Sequence, residues 1–389
     1  MYEYTIAGGL PAGSRGVWSN RPLQPLAQGI LTPLSYSTLA DVMGRAWYKY
    51  FDALDFDPMP KARIMRQVNG LPYLSLTLSA QRDAEQAAIE PITLQINGQA
   101  FPVSKWEKPG FLAALKFGMK ERKVQPLLDK LEREIGNSAT RLAEWYERVR
   151  EYRWTQADIL LVMEEIEPLG SEPMMAYFAA RHNLDLTLNR ILRVINAKNN
   201  PNTPALIEAA LGSTQHPLLL TSEKHRCPNE GELRNPRWDE NPGTNPAVPT
   251  EHLGAGDEQA LLNCINGSQR KAAQEWLQQA RKLLALQNKA LAAFSYILAG
   301  TRRWALAAER ESMADKRVAA VGDIFFYELE EVKQMMTGEW NISDAKEIQA
   351  TAQKRKAEYT RWQEIAPVEL LIGDSPAQAV TRQGDKVTG

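Results

Sequence analysis

The stretch "LLDKLEREIGNSATRLAEWYERVREYRW", Leu127 to Trp154, decides the fold class. Its apolar residues recur at three- and four-residue steps, with acid–base pairs between them. That is the pattern of an amphipathic helix with one buried face. Gly136 can close one helix and Ser138 suits the N-cap of the next, so the spacing predicts two helices with a break between them. The helical pattern runs from about Pro109 to Leu211. Thr155 and Asp158 suit another helix start, and Pro168-Leu169-Gly170 predicts a break downstream of it.

Helical periodicity returns from Asp257 to about Ala320, with a bend expected near Gly300. "GDIFFYELEEVKQMMTGEW" reads as a short apolar piece followed by a helix ending at Gly338. Ser343 to Glu364 reads as a last polar amphipathic helix. Toward the N-terminus the pattern changes. Asn69-Gly70 and Asn97-Gly98 each stand between apolar alternations, and each predicts a hairpin. Both residue types tolerate the positive φ of a type I′ turn. Pro72 is expected to confine its strand to a sheet edge. The expected fold is mainly α: a multi-helix domain with a small β-hairpin-containing N-terminal part. The expected boundaries are 1–105 for the irregular and hairpin part, 106–365 for the helical domain and 366–389 for a C-terminal connector.

Composition narrows the function classes. The 389 residues are 44% hydrophobic and 24% charged, ordinary globular values. Lysine plus arginine (46) nearly balances aspartate plus glutamate (47), so no overall charge invites nucleic acid or an acidic membrane. The basic run Lys116 to Lys123 reads as a solvated helix face. Two cysteines, Cys227 and Cys264, fit a reducing compartment better than a disulfide scaffold. The N-terminus has no basic region followed by an apolar run, and Ala290 to Gly300 is too short to span a bilayer. A cytoplasmic protein with no nucleic-acid or membrane partner is expected.

Simple catalytic signatures are absent from the sequence. His225 and Cys227 stand as H-x-C, without the further ligands that a zinc site needs. "GGLPAGSRG" and "GAGDEQ" lack the strand-turn-helix context of a phosphate cradle. No G-x-S-x-G elbow is present. Metal ligands and a catalytic nucleophile are therefore not expected.

What remains is "HRCPNEGELRNPRWDENP", His225 to Pro242. Prolines at 228, 236, 242, 246 and 249 forbid a long helix here. Leu233 and Trp238 nonetheless give the segment something to bury. Arg226, Arg234 and Arg237 stand among Glu230, Glu232, Asp239 and Glu240. A guanidinium is a planar, two-pronged donor for carboxylates and phosphates. Such a loop can lock itself to neighbouring helices by ion pairs, or leave an arginine facing an anionic ligand.

His225, Arg226, Pro228, Glu230, Leu233, Pro236, Arg237 and Trp238 resemble a loop of phosphoenolpyruvate-utilising phosphotransferases. That loop runs H-R-x-P-x-E-x-x-L-x-x-P-R-W and belongs to the central domain of rifampicin phosphotransferase and phosphoenolpyruvate-synthase-like proteins. Trp18 followed fourteen residues later by Thr32-Pro33-Leu34 is similar to a second stretch of the family. Asn69, Gly70 and Tyr73 resemble a third, and Asp323, Phe325, Phe326 and Glu331 a fourth. The likeness runs from about Trp18 to Gly373.

The resemblance implies an acceptor-binding domain that works with an ATP-grasp domain and a swivelling phosphohistidine domain, here expected on another chain. It implies no cofactor on this chain, with ATP and Mg belonging to the missing domains. It implies an apolar or mixed small-molecule acceptor. His225, Arg226, Glu230, Arg237, Trp238, Thr32 and Pro33 are the residues it assigns to an acceptor and phosphoryl pocket. A second reading is a non-catalytic small-molecule-binding protein derived from such an enzyme.

Overall fold

The computed structural model describes residues 3–6, 16–59, 63–87, 93–104, 110–195, 203–211, 223–241 and 258–379. The fold is mainly α with a small β part. Three long helices form its body: α3 (Phe111–Glu151), α4 (Gln156–Val194) and α7 (Arg270–Ala314). They pack on one another, and α4 also packs on α1 (Pro33–Ala53). Short helices complete the set: α2 (Leu76–Ala87), α5 (Thr203–Leu211), α6 (Glu258–Asn263), α8 (Leu329–Thr337) and α9 (Ala345–Gln363).

Each long helix is continuous where the sequence predicted a break. Gly136 and Ser138 lie inside α3, Pro168 and Gly170 inside α4, and Gly300 inside α7. Packing supplies the reason. A Cβ on Gly300 would lie 2.3 Å from the Trp145 ring, so this glycine lets α3 approach α7 rather than bending the chain. A Cβ on Gly170 would sit 3.1 Å from Val42, so Gly170 serves the contact of α4 with α1. Pro168 costs one helical hydrogen bond. The Ser171 hydroxyl donates to the Pro168 carbonyl at 2.8 Å, and the Lys49 ammonium donates to Ser171 at 2.7 Å.

Other helix ends follow their local signals. Thr155 and Asp158 form a capping box at the start of α4. Gly338, at φ 85°, ends α8 in the left-handed conformation. By length and composition α7 meets the test for a membrane span, yet 67% of its apolar window is buried in the protein, as in a core helix.

The strands are β1 (Glu3–Thr5), β2 (Val17–Ser19), β3 (Met65–Val68), β4 (Leu71–Ser75), β5 (Thr93–Ile96), β6 (Gln99–Pro102), β7 (Leu370–Ile372) and β8 (Ser375–Ala379). Both Asn-Gly hairpins are present, with φ of 48° and 77° at Asn69 and Gly70, and 50° and 75° at Asn97 and Gly98. The sheet order is β3-β4-β2-β7-β8-β1-β5-β6. Residues 370–379, expected within a connector, instead form a hairpin at the centre of the sheet.

The expectation that Pro72 marks an edge is corrected too, because β4 lies between β3 and β2. In this hairpin Gln67 and Pro72 are the wide, non-hydrogen-bonded pair, so the β3 ladder loses nothing. Pairing with β2 begins only at Leu74 and Ser75.

Candidate functional site

The loop 223–241 has no regular element, and its core is buried. Its backbone is drawn onto the segment before α1. Gly231 N–H donates to the Leu26 carbonyl at 2.7 Å, and Gln28 N–H donates to the Asn229 side chain at 2.9 Å. A Cβ on Gly231 would lie 2.8 Å from the Leu26 oxygen, so only glycine permits this approach. Leu233 is fully buried and Trp238 is 5% exposed, which anchors the loop.

Each candidate residue has a defined place. Arg226 is fully buried and grips Glu230 with two prongs, Nε to Oε1 at 2.6 Å and Nη2 to Oε2 at 3.4 Å. Arg237 donates to Cys227 Sγ at 2.6 Å and to the Glu230 carbonyl at 3.0 Å. Burial pushes the Glu230 carboxyl upward, against the pull of Arg226 and Arg237. Burial likewise raises the Cys227 thiol, opposed by Arg237.

His225 stacks on Tyr296 with ring centroids 3.9 Å apart and shares a 2.8 Å hydrogen bond with Ser295. The Ser295 hydroxyl donates to the Ala292 carbonyl, so His225 Nε2 carries the ring proton. Burial first, then Arg226 and Arg237, lower its pKa to about 3. His225 is thus a neutral packing group.

Thr32 and Pro33 begin α1 and are buried. Pro33 suits the first helical position, where no N–H is required. The Thr32 side chain makes no cap of its own. The cap comes from Glu232, which accepts the Thr32 N–H at 2.7 Å, the Thr32 hydroxyl at 2.9 Å and the Ser35 hydroxyl at 3.0 Å. Ser35 in turn accepts the Leu233 N–H at 2.8 Å. Thus the structure joins Thr32 and Pro33 to the loop, but through Glu232, which the sequence did not single out. Its partners lie 200 residues away, and no local signal marks it.

The loop's far end is tied to α7. Arg302 donates to both oxygens of Glu240, and also to the carbonyls of Leu233 and Arg234. Arg303 and the Tyr146 hydroxyl both donate to Asp239, each at 2.7 Å.

An open cleft of about 400 Å³ lies beside the loop, and it draws on Arg234 rather than on Arg226 or Arg237. Its other walls are Gly322 and Phe326, from the short 3-10 segment around 323–326, and Lys356, Tyr359 and Gln363 of α9. Arg234 is exposed, with its guanidinium 5.0 Å above the Tyr359 ring. Lys356 contacts the fully buried Asp323. Phe325, next to the wall, takes Arg302 over its ring at 5.6 Å. The same arginine therefore touches both the backbone of Arg234 and Phe325, the neighbour of the cleft residue Phe326.

Among the described residues no three His, Cys, Asp or Glu side chains gather as metal ligands. No protein-family model matches the chain, and no curated protein does.

Proposed function

We propose that this chain is the acceptor-binding portion of an ATP-dependent, phosphohistidine-using phosphotransferase, with the cleft beside Arg234 as the place where the acceptor sits. One observation carries this reading. Two stretches that resemble the phosphotransferase family, remote from one another in the chain, line this cleft, and a third is bonded to the loop beside it. The loop 225–242 supplies Arg234, the Asp323-Phe326 segment supplies Phe326, and Thr32 is bonded to Glu232, two residues from Arg234. An arginine over an aromatic ring beside a lysine is a fitting seat for a molecule that must meet phosphate. ATP and Mg would be handled by the ATP-grasp domain of a partner chain.

The test is reconstitution. The chain is combined with labelled ATP, a candidate partner carrying ATP-grasp and phosphohistidine domains, and a panel of small acceptors. Label on an acceptor, dependent on this chain and reduced in Arg234→Gln, is the expected result. Label on no acceptor in any combination would sink the reading.

A second reading, a non-catalytic small-molecule-binding protein, is favoured by a different observation. Arg226 and Arg237 are buried and spend donors on Glu230 and Cys227 rather than aiming at a ligand. Saturable ligand binding without transfer in the same experiment would favour it.

A further inference from the structure

We infer that the cleft recognises an oxyanion, a phosphate or carboxylate group on its ligand, through Arg234 and Lys356. The inference deepens the acceptor reading and rests on it only in taking the anion to be part of the acceptor.

The lining is one-sided in charge. It contains Arg234 and Lys356 and no carboxylate. The other two arginines of the loop are buried inside it: Arg226 pairs with Glu230, and Arg237 donates to Cys227 and a carbonyl, with its Nε left unpartnered. Arg234 forms no ion pair among the described residues, and its guanidinium is exposed at the mouth of the cleft. The nearest carboxylate on its own segment, Glu232, is buried and committed to the start of α1.

Lys356 is held differently. Asp323, fully buried beneath the cleft, holds its ammonium in place, and the side chain keeps 32% exposure toward the opening. Glu309, also behind the wall, accepts the Gly322 N–H at 2.6 Å and does not line the cleft. Asp323 and Glu309 thus lie behind the wall, while Arg234 and Lys356 line the space. Gln363 adds an amide donor at the rim. A planar guanidinium, an ammonium and an amide form a donor set for an oxyanion. The Tyr359 ring under Arg234 fixes that guanidinium without neutralising it.

The experiment titrates the whole chain with inorganic phosphate and, separately, with acetate. Chloride holds the ionic strength constant, and binding is followed by calorimetry and by amide chemical shifts. Saturable binding of at least one anion is expected, and comparison of the two arms identifies the preferred group. Arg234→Gln should weaken that binding about tenfold or more, because a charge-assisted pair is lost. Arg234→Lys should restore only part of it.

Lys356→Gln removes the partner of buried Asp323, so the exposed Arg234 variant carries the test and circular dichroism checks its fold. Equal anion binding by wild type and Arg234→Gln would overturn the inference. So would the lack of saturable binding of either anion by the folded chain. Anion binding without phosphoryl transfer would leave this inference standing and remove the transfer reading. Transfer to an uncharged acceptor without anion binding would do the reverse.

Discussion

The Glu232 carboxylate accepts the backbone N–H of Thr32 at 2.7 Å, closing the start of α1 from 200 residues away. It also accepts two hydroxyls and the Arg234 N–H. Glu232→Ala would leave this buried set of donors without an acceptor. The expected cost is about 3 kcal/mol in urea unfolding, since a partner of several buried charged hydrogen bonds is removed. Thr32→Ala removes one hydroxyl and should cost about 1 kcal/mol. A Glu232→Ala protein within about 0.5 kcal/mol of wild type would contradict this docking of the loop.

Gly300 and Trp145 make the α3–α7 contact. Adding one methyl at Gly300 places it 2.3 Å from the indole. Gly300→Ala should therefore destabilise by about 1–3 kcal/mol despite the better helix propensity of alanine. Trp145→Leu alone should also destabilise, because the indole is 5% exposed and donates to Glu165 at 2.7 Å. The double variant should be more stable than the sum of the two changes predicts. Strict additivity in thermal unfolding would mean that the two residues do not meet.

His225 makes stability depend on pH with a defined sign. Its pKa is about 3 in the fold and about 6.5 when unfolded. Between those values the unfolded chain binds a proton that the folded ring refuses. Stability is therefore complete above the unfolded value and falls as the pH drops, by up to about 1.4 kcal/mol per pH unit. His225→Gln removes this component. Denaturant midpoints of both proteins, read from about pH 7 to about pH 4, should show wild type losing stability faster. Parallel curves would place the proton on the folded ring.

The sequence exposes local facts and hides distant ones. Period in Leu127 to Trp154 and the Asn-Gly pairs announced helices and hairpins because both signals are local. The breaks at Gly136, Pro168 and Gly300 failed because packing of α3, α4 and α7 overrides the propensity of single residues. The strand pairs of β2 with β7 and β1 with β8 join the two ends of the chain, and strands of three to five residues carry little pattern.

At the site, the density of arginines and carboxylates in 225–242 was plain in the sequence. Which arginine faces open space was not. Arg226 and Arg237 differ from Arg234 only in how the loop turns, and that turn is set by Leu26, Thr32 and Arg302.

Arg302 should be the loop's most sensitive tie. It is 7% exposed and binds Glu240 with both prongs while its Nη1 holds the carbonyls of Leu233 and Arg234. Arg302→Ala leaves Glu240 and two carbonyls unmatched and should cost about 3–5 kcal/mol. Arg302→Lys keeps the charge but cannot serve four acceptors with fork geometry, so it should recover less than half of the loss. Hydrogen exchange separates a local effect from a global one. In Arg302→Lys the amides of Gly231, Glu232 and Trp238 should exchange faster, while those in the middle of α4 keep their protection. Because Arg302 sets the position of Arg234, the same variant should weaken phosphate binding without touching the anion. Unchanged exchange at Trp238 would show that the loop's other ties, Glu232, the Arg226–Glu230 pair and Asp239 with Arg303 and Tyr146, hold it without Arg302.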